Sequence, residues 1–101
     1  TKPLSLPPLD GLLMANALHY VDQAAGLLKN LLPLLKPGGT FLLVEYETRR
    51  PRPPWIPYPI PFDQFIAIAA EVGLTPPKRI ASVPYMYGHD HIYASMSQWV
   101  P

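Results

Sequence analysis

Apolar positions fall into segments of different period, and the periods separate strands from helices. After the Asp10-Gly11 turn, residues 11–16 (Gly-Leu-Leu-Met-Ala-Asn) form a short, almost unbroken apolar run. Such a run fits a strand buried on both faces, as in a parallel sheet; Gly11 and the brevity of the run argue against a helix. From Asp22 onward, Ala24, Leu27, Leu28, Leu31, Leu32 and Leu35 recur at helical spacing, with Lys29 and Asn30 opposite. Asp22 is the expected N-cap, its carboxylate accepting from an orphan amide two or three residues on. Pro33 predicts a kink or early stop. Lys36 suits the helix C-terminal dipole, and Pro37-Gly38-Gly39 ends the segment.

Residues 40–46 (Thr-Phe-Leu-Leu-Val-Glu-Tyr) read as a second strand, with β-branched and aromatic side chains at several positions. Residues 49–61 hold six prolines in thirteen positions, which excludes helix or central strand and predicts a stiff connection carrying Trp55 and Tyr58. Residues 62–72 predict a second helix, capped by Asp63, with Phe65, Ile66, Ala69 and Val72 as its apolar stripe and Gly73 closing it. Residues 78–87 and 92–100 read as strands joined by a hairpin turn at Gly88-His89-Asp90-His91. The order is β-α-β-connection-α-β-β. A helix joins the first two strands, so they should lie parallel through a right-handed crossover, and the hairpin makes one of the last two antiparallel. The expected class is α/β: a four-stranded mixed sheet with two main helices. Residues 1–8 form an irregular Pro-rich arm and residues 9–101 a single domain. The expected sheet order is 11–16, 40–46, the last strand, then 78–87 at the far edge.

Composition narrows the function classes. At 101 residues, with 49% apolar and 15% charged positions, the chain can build one small core. A domain this size buries roughly 60–65% of its unfolded surface and has little stability to spare. A net charge of +1 leaves no footprint for nucleic acid or anionic lipid. The one basic cluster, Arg49, Arg50 and Arg52, reads as a solvated loop. The absence of cysteine excludes disulfides and thiolate metal sites. No apolar run approaches the ~20 residues of a membrane span, and the opening Thr1-Lys2-Pro3 carries no signal-peptide pattern, so the expected location is cytoplasmic. Opening without Met, the chain reads as a trimmed or excised piece.

Several features in order resemble the class I S-adenosylmethionine-dependent methyltransferases. Asp10-Gly11, the buried strand and then Asn16-Ala17-Leu18-His19-Tyr20-Val21 are similar to that family's fourth strand and its exit. Residues 28–39, ending Leu-Leu-Lys-Pro-Gly-Gly, resemble the next helix and turn, and Phe41-Leu-Leu-Val-Glu45 the fifth strand. Glu71-Val72-Gly73-Leu74 resembles the last helix ending in glycine, and the terminal hairpin the sixth and seventh strands. The resemblance covers about residues 9–99 and implies the C-terminal half of a Rossmann-like methyltransferase fold. The glycine-rich loop after the family's first strand and the ribose-binding acid after its second have no counterpart here. The resemblance therefore implies no complete cofactor site, with Asn16 and Leu18 only adjacent to one. S-adenosylmethionine would be bound only if the missing half were supplied.

The resemblance also selects candidate residues. His19 follows the C-terminal end of a parallel strand, where open α/β sheets put their ligands, and could touch substrate or act as a base; the alternative is a partly exposed loop residue. Tyr20 accompanies it. The family's Asn-Pro-Pro-Tyr form, associated with transfer to planar amines, is absent. Glu45 and Glu47 share a strand face, read as solvated strand-end charges, with Glu45 also a substrate candidate. Trp55 and Tyr58 form either a lid over substrate or apolar cover for the sheet edge. His89 and His91 supply only two ligands, so no metal site is expected.

Two functional readings follow. One is a methyltransferase fragment, inactive alone because the cofactor loop is absent; the other is a non-enzymatic interaction or assembly module reusing the half-fold. A third, a small complete enzyme, lacks any nucleophile–base–orienter set. The expected partner is a second copy, paired through the strand at 11–16, or the missing N-terminal half. That strand carries Leu12, Leu13 and Met14 and none of the usual protections of a natural edge.

Overall fold

The computed structural model describes residues 7–51, 55–84 and 91–101. The N-terminal arm up to residue 6, Arg52, and the hairpin turn with His89 and Asp90 lie outside them. Among the described residues there are four strands and two α-helices: β1 (Leu9–Ala15), α1 (Ala24–Leu31), β2 (Leu35–Glu47), α2 (Phe62–Val72), β3 (Lys78–Pro84) and β4 (His91–Gln98). The sheet order is β1-β2-β4-β3. β1 and β2 are parallel, whereas β4 runs antiparallel to both β2 and β3. The α/β class, the mixed four-stranded sheet and the insertion of the last strand beside β2 are as the sequence predicts.

Helix boundaries follow local chemistry. α1 gives way to a 3-10 turn at Leu32–Leu34, with Pro33 in its first positions, because proline cannot donate the next helical hydrogen bond. The N-cap of α1 is Gln23 rather than Asp22, and no side chain bonds the free amides there. Lys36 serves no helix terminus; it pairs with Asp10 across the β1–β2 edge. α2 spans the expected residues but starts after Pro61, with Asp63 inside its first turn rather than at the cap. The first amide of α2, on Phe62, instead donates to Glu47 Oε1 at 2.8 Å, so the carboxylate that stabilises this helix start comes from β2. Gly73 closes α2 in the left-handed region at φ 85°.

The Pro37-Gly38-Gly39 turn lies within β2. Leu9 pairs with Leu35 and Gly11 with Thr40, so four residues of β2 loop out opposite one of β1. Gly38 takes φ 82°, its amide donates to the Trp99 carbonyl at 2.8 Å, and the Trp99 amide returns a bond to Gly39 at 2.9 Å. A Cβ on Gly39 would stand 2.9 Å from the Lys36 carbonyl oxygen, so the bulge requires glycine there for space.

Both helices pack on one face of the sheet. Phe41, Leu43 and Tyr93 point into a core with Ala24 and Leu28 of α1 and Phe65, Ala69 and Val72 of α2; Leu12 and Met14 of β1 border it. Ile66, placed on the apolar stripe by spacing, is 42% exposed, because the buried arc of α2 runs through Phe65, Ala69 and Val72. The register puts the alternate residues Leu13, Leu42, Val44, Tyr46, Ile92, Ala94 and Met96 on the opposite face. No helix among the described residues is long and apolar enough to cross a membrane.

Candidate functional site

β1 and β2 run parallel and end side by side, so the segments leaving their C-terminal ends meet. Asn16 leaves β1 with φ 54°, a left-handed conformation that asparagine tolerates, while its amide still bonds the Val44 carbonyl at 2.9 Å. The chain then makes a 3-10 turn at Leu18–Tyr20. Leu18 anchors that turn, fully buried in the core.

This turn brings His19 onto Glu45, 26 residues away at the end of β2. His19 Nδ1 stands 2.8 Å from Glu45 Oε1, and the His19 backbone amide donates to Oε2 at 3.2 Å. A carboxylate only accepts, so this contact sets the ring proton on Nδ1 and leaves Nε2 as the acceptor in the neutral imidazole. His19 is 2% exposed and Glu45 0%. The expectations of a partly exposed histidine and a solvated glutamate are both corrected. Glu45 faces the helices, with Phe41 and Leu43, and the turn after β1 closes over it. A buried charge persists only where partners satisfy it. Glu45 has three: both His19 contacts, and the Tyr46 amide at 3.3 Å.

Aromatic rings enclose the imidazole. The Tyr20 ring lies 4.3 Å from it and the Tyr46 ring 5.6 Å away, edge-on. Tyr20 is 54% exposed and forms the outer wall. The proline connection crosses the same point: the Tyr58 amide donates to the His19 carbonyl at 3.0 Å. Ile56 and Ile60 bury their side chains beneath this strap, whereas Trp55 and Tyr58 stay on its outer side, 72% and 43% exposed. The strap is held a second time by Tyr93, whose hydroxyl donates to the Ile60 carbonyl at 2.7 Å. Burial, followed by the nearby Glu45, pushes the Tyr93 phenol well above its ordinary range. Tyr93 and the strap's backbone contact at Tyr58 are parts of this arrangement that the pattern of residues did not single out.

Glu47 is separate from this pair. Besides the Phe62 amide it accepts from Arg79 Nη2 at 3.0 Å, and the Arg79 guanidinium lies 4.6 Å over the Phe62 ring. Arg49 pairs with Asp63 nearby and holds that exposed carboxyl below its usual range. These groups line a cleft of about 370 Å³, with their charges already matched. A second cleft of about 250 Å³ lies between Asp22, Gln23, Tyr58, Gln64 and Glu71, beside the strap. Among the described residues no three histidine, aspartate or glutamate side chains converge as metal ligands; His89 lies outside them.

No family model matches the sequence, and no curated protein does. Solved methyltransferase structures do match the fold. The 1,6-didemethyltoxoflavin-N1-methyltransferase of Burkholderia thailandensis, solved with 1,6-didemethyltoxoflavin and S-adenosylhomocysteine, superposes with a TM-score of 0.74 at 20% identity. That match covers 91% of this chain and 44% of the other. The CurJ carbon methyltransferase gives 0.62 at 20% identity over 91% and 30%. An O-methyltransferase family 2 protein from Planctomyces limnophilus, solved with apigenin, gives 0.57 at 22% identity over 94% and 32%. The chain thus spans less than half the length of each of these proteins. It has part of the methyltransferase fold, a mixed sheet with two helices on one face.

Proposed function

We propose that the chain is the C-terminal half of an S-adenosylmethionine-dependent methyltransferase and supplies the acceptor side of the reaction. The buried His19–Glu45 pair at the ends of parallel β1 and β2 carries this reading. It stands where open α/β sheets place their ligands. An imidazole oriented through Nδ1 by a buried carboxylate is a base whose Nε2 can take a proton from an acceptor hydroxyl or amine as the methyl group arrives. In the closed arrangement the ring is covered by Tyr20 and the Tyr58 strap, so acceptor entry requires one of them to move. Trp55 and Tyr58, on the outer side of the strap, then border the acceptor.

S-adenosylmethionine would supply the methyl group, and the chain's own residues fit it only in part. Asn16 and Leu18 lie at the strand exit beside such a site, but no glycine-rich loop follows a parallel strand and no acid is placed for the ribose. Binding therefore needs the missing half, in cis or in trans, and the isolated chain is inactive. Calorimetric titration of the chain with S-adenosylmethionine and S-adenosylhomocysteine tests this. No heat of binding is expected up to millimolar ligand, and micromolar binding would overturn the claim that the cofactor site is incomplete.

A second reading has its own observation. At 2% exposure His19 ties β1's exit, β2's end and the strap together through three bonds. An assembly module without chemistry would keep this clip for stability alone. The two readings differ in one respect: a base must become accessible, whereas a clip must not.

A further inference from the structure

A base works only if an acceptor reaches it, and His19 is sealed on every side. Three movements could open the site: the imidazole swings out, the proline strap lifts, or Tyr20 turns aside. The bonds around His19 separate them. The residue is tied at three points, with Nδ1 on Glu45 Oε1, the backbone amide on Glu45 Oε2 and the carbonyl under the Tyr58 amide. Swinging the ring out would strip the fully buried Glu45 of its nearest partner, a costly state for a charge. The strap is held almost as firmly. Besides the Tyr58 amide it has the Tyr93 hydroxyl on the Ile60 carbonyl, and the Pro61 carbonyl accepts from Phe65 of α2 at 3.0 Å. Ile56 and Ile60 are buried, so lifting the strap uncovers both. Pro57, Pro59 and Pro61 each lock φ, which leaves few torsions through which one part could bend without the rest.

Tyr20 is different. Its backbone stays in the 3-10 turn, its amide donating to the Ala17 carbonyl at 3.2 Å and the Val21 amide to the Leu18 carbonyl at 3.1 Å. Its side chain is more than half exposed and lies against the imidazole through a tilted ring contact. Tyr46, the other ring on the imidazole, is half-buried on β2 opposite Ile92. We infer that Tyr20 is the gate of the His19 site: its side chain rotates about Cα–Cβ, with the strap and the histidine in place, and opens Nε2 to the acceptor. This rests on the reading of His19 as a base. Rotamer changes of exposed side chains take picoseconds to nanoseconds, whereas lifting a packed segment is a local unfolding event, slower and less populated. The gate directly follows the base in sequence, so the one 3-10 turn that delivers His19 to Glu45 also sets the covering ring. The side chain at this position then controls access, and a small one leaves the base permanently open.

Carbethoxylation by diethyl pyrocarbonate tests this on the full chain, with neither cofactor nor acceptor present. Nε2 attacks a carbonyl of the reagent and ethyl carbonate leaves; peptide mass spectrometry gives the rate at His19 relative to the exposed His91. Native-state hydrogen exchange of the Tyr58 amide reports lifting of the strap in the same samples. In the unaltered chain His19 should react while the Tyr58 amide stays protected. Tyr20→Ala and Tyr20→Ser should each raise the His19 rate by about tenfold or more with the Tyr58 amide equally protected. Tyr20→Phe keeps the ring and should match the unaltered chain. A structural role for Tyr20 would instead loosen both sites together, and that result would overturn the gate. An unchanged His19 rate in the alanine and serine variants, tracking exchange of the Tyr58 amide, would make the strap the gate and leave the base intact. Reaction at His19 no faster than exchange of the central amides of β2 and β4, in every variant, would mean that only global unfolding exposes the ring. That outcome would refute gate and base alike and leave the clip.

Discussion

At the scale of single residues, the buried polar groups differ in how well they are satisfied. Glu45 is the most heavily used, and replacing it by alanine leaves the His19 amide and ring without partners in a site sealed from water. Unpaired buried groups of this kind cost more than the bond itself, so Glu45→Ala should lower unfolding free energy by about 3 kcal/mol. Urea denaturation of the two proteins measures this; a loss below about 1 kcal/mol would mean the site reopens to water. Tyr93 contributes with a defined pH dependence. Its folded-state pKa is raised above the ordinary 10.0, first by burial and then by Glu45. A raised pKa gives stability that is complete below pH 10 and is lost as pH rises beyond it, because the unfolded phenol ionises first. Tyr93→Phe should be less stable at neutral pH by about 1 kcal/mol, having lost the bond to Ile60, yet should decline less steeply above pH 10. Thermal melts across pH 8–11 would show two curves converging; parallel curves would contradict the burial of the hydroxyl. The hydroxyls of Ser95 and Ser97 are buried with no hydrogen-bond partner among the described residues, and nothing in the structure explains why β4 places serine there.

At the scale of elements, the chain ends its helices with residues chosen for backbone shape. Gly73 is left-handed at φ 85°, and a Cβ added there would stand 3.0 Å from the Val100 carbonyl oxygen. The Gly73 carbonyl, in turn, accepts from the Val100 amide at 2.7 Å, so the glycine cannot retreat without breaking that bond. Gly73→Ala should therefore cost about 1–2 kcal/mol, combining left-handed strain with a close contact. A melting temperature unchanged by this substitution would show that the C-terminal segment near Val100 yields freely. Elements were the level most legible in the sequence. The span of α2, the closing glycine and the interruption at Pro33 all follow from local backbone chemistry. The caps did not: Asp22 and Asp63 have the right residue type, but the amide of Phe62 is satisfied by Glu47 from 15 residues earlier. Capping from another element leaves no local signature.

At the scale of the whole molecule, the order β1-β2-β4-β3 was readable because parallel crossovers and hairpins restrict topology to few choices, and resemblance selected among them. The candidate site was readable only in part. His19 and Glu45 were each visible as candidates at the ends of strands, but their contact joins two elements, and no spacing in the sequence announces it. Burial was misjudged for both, since a histidine in a loop and a glutamate at a strand end usually reach water. Which side of the sheet the helices take was hidden for a related reason. The apolar residues of β1 and β2 read as buried on both sides; only the arrangement of the two described helices shows which side they cover.

The position of β4 has a consequence for how the chain reaches this state. β4 is last in sequence but sits between β2 and β3, with Thr40 opposite Gln98. Every hydrogen bond that joins β3 to the rest of the sheet passes through this final segment. Loop closure over such a distance must precede any reward from the contacts, which slows folding relative to a chain of local pairings. During synthesis β1, α1 and β2 are made before β4 and can form their parallel unit. The inner edge of β2 then lacks its partner until β4 has left the ribosome, and during that interval the nascent segment is most open to aggregation and most dependent on chaperones.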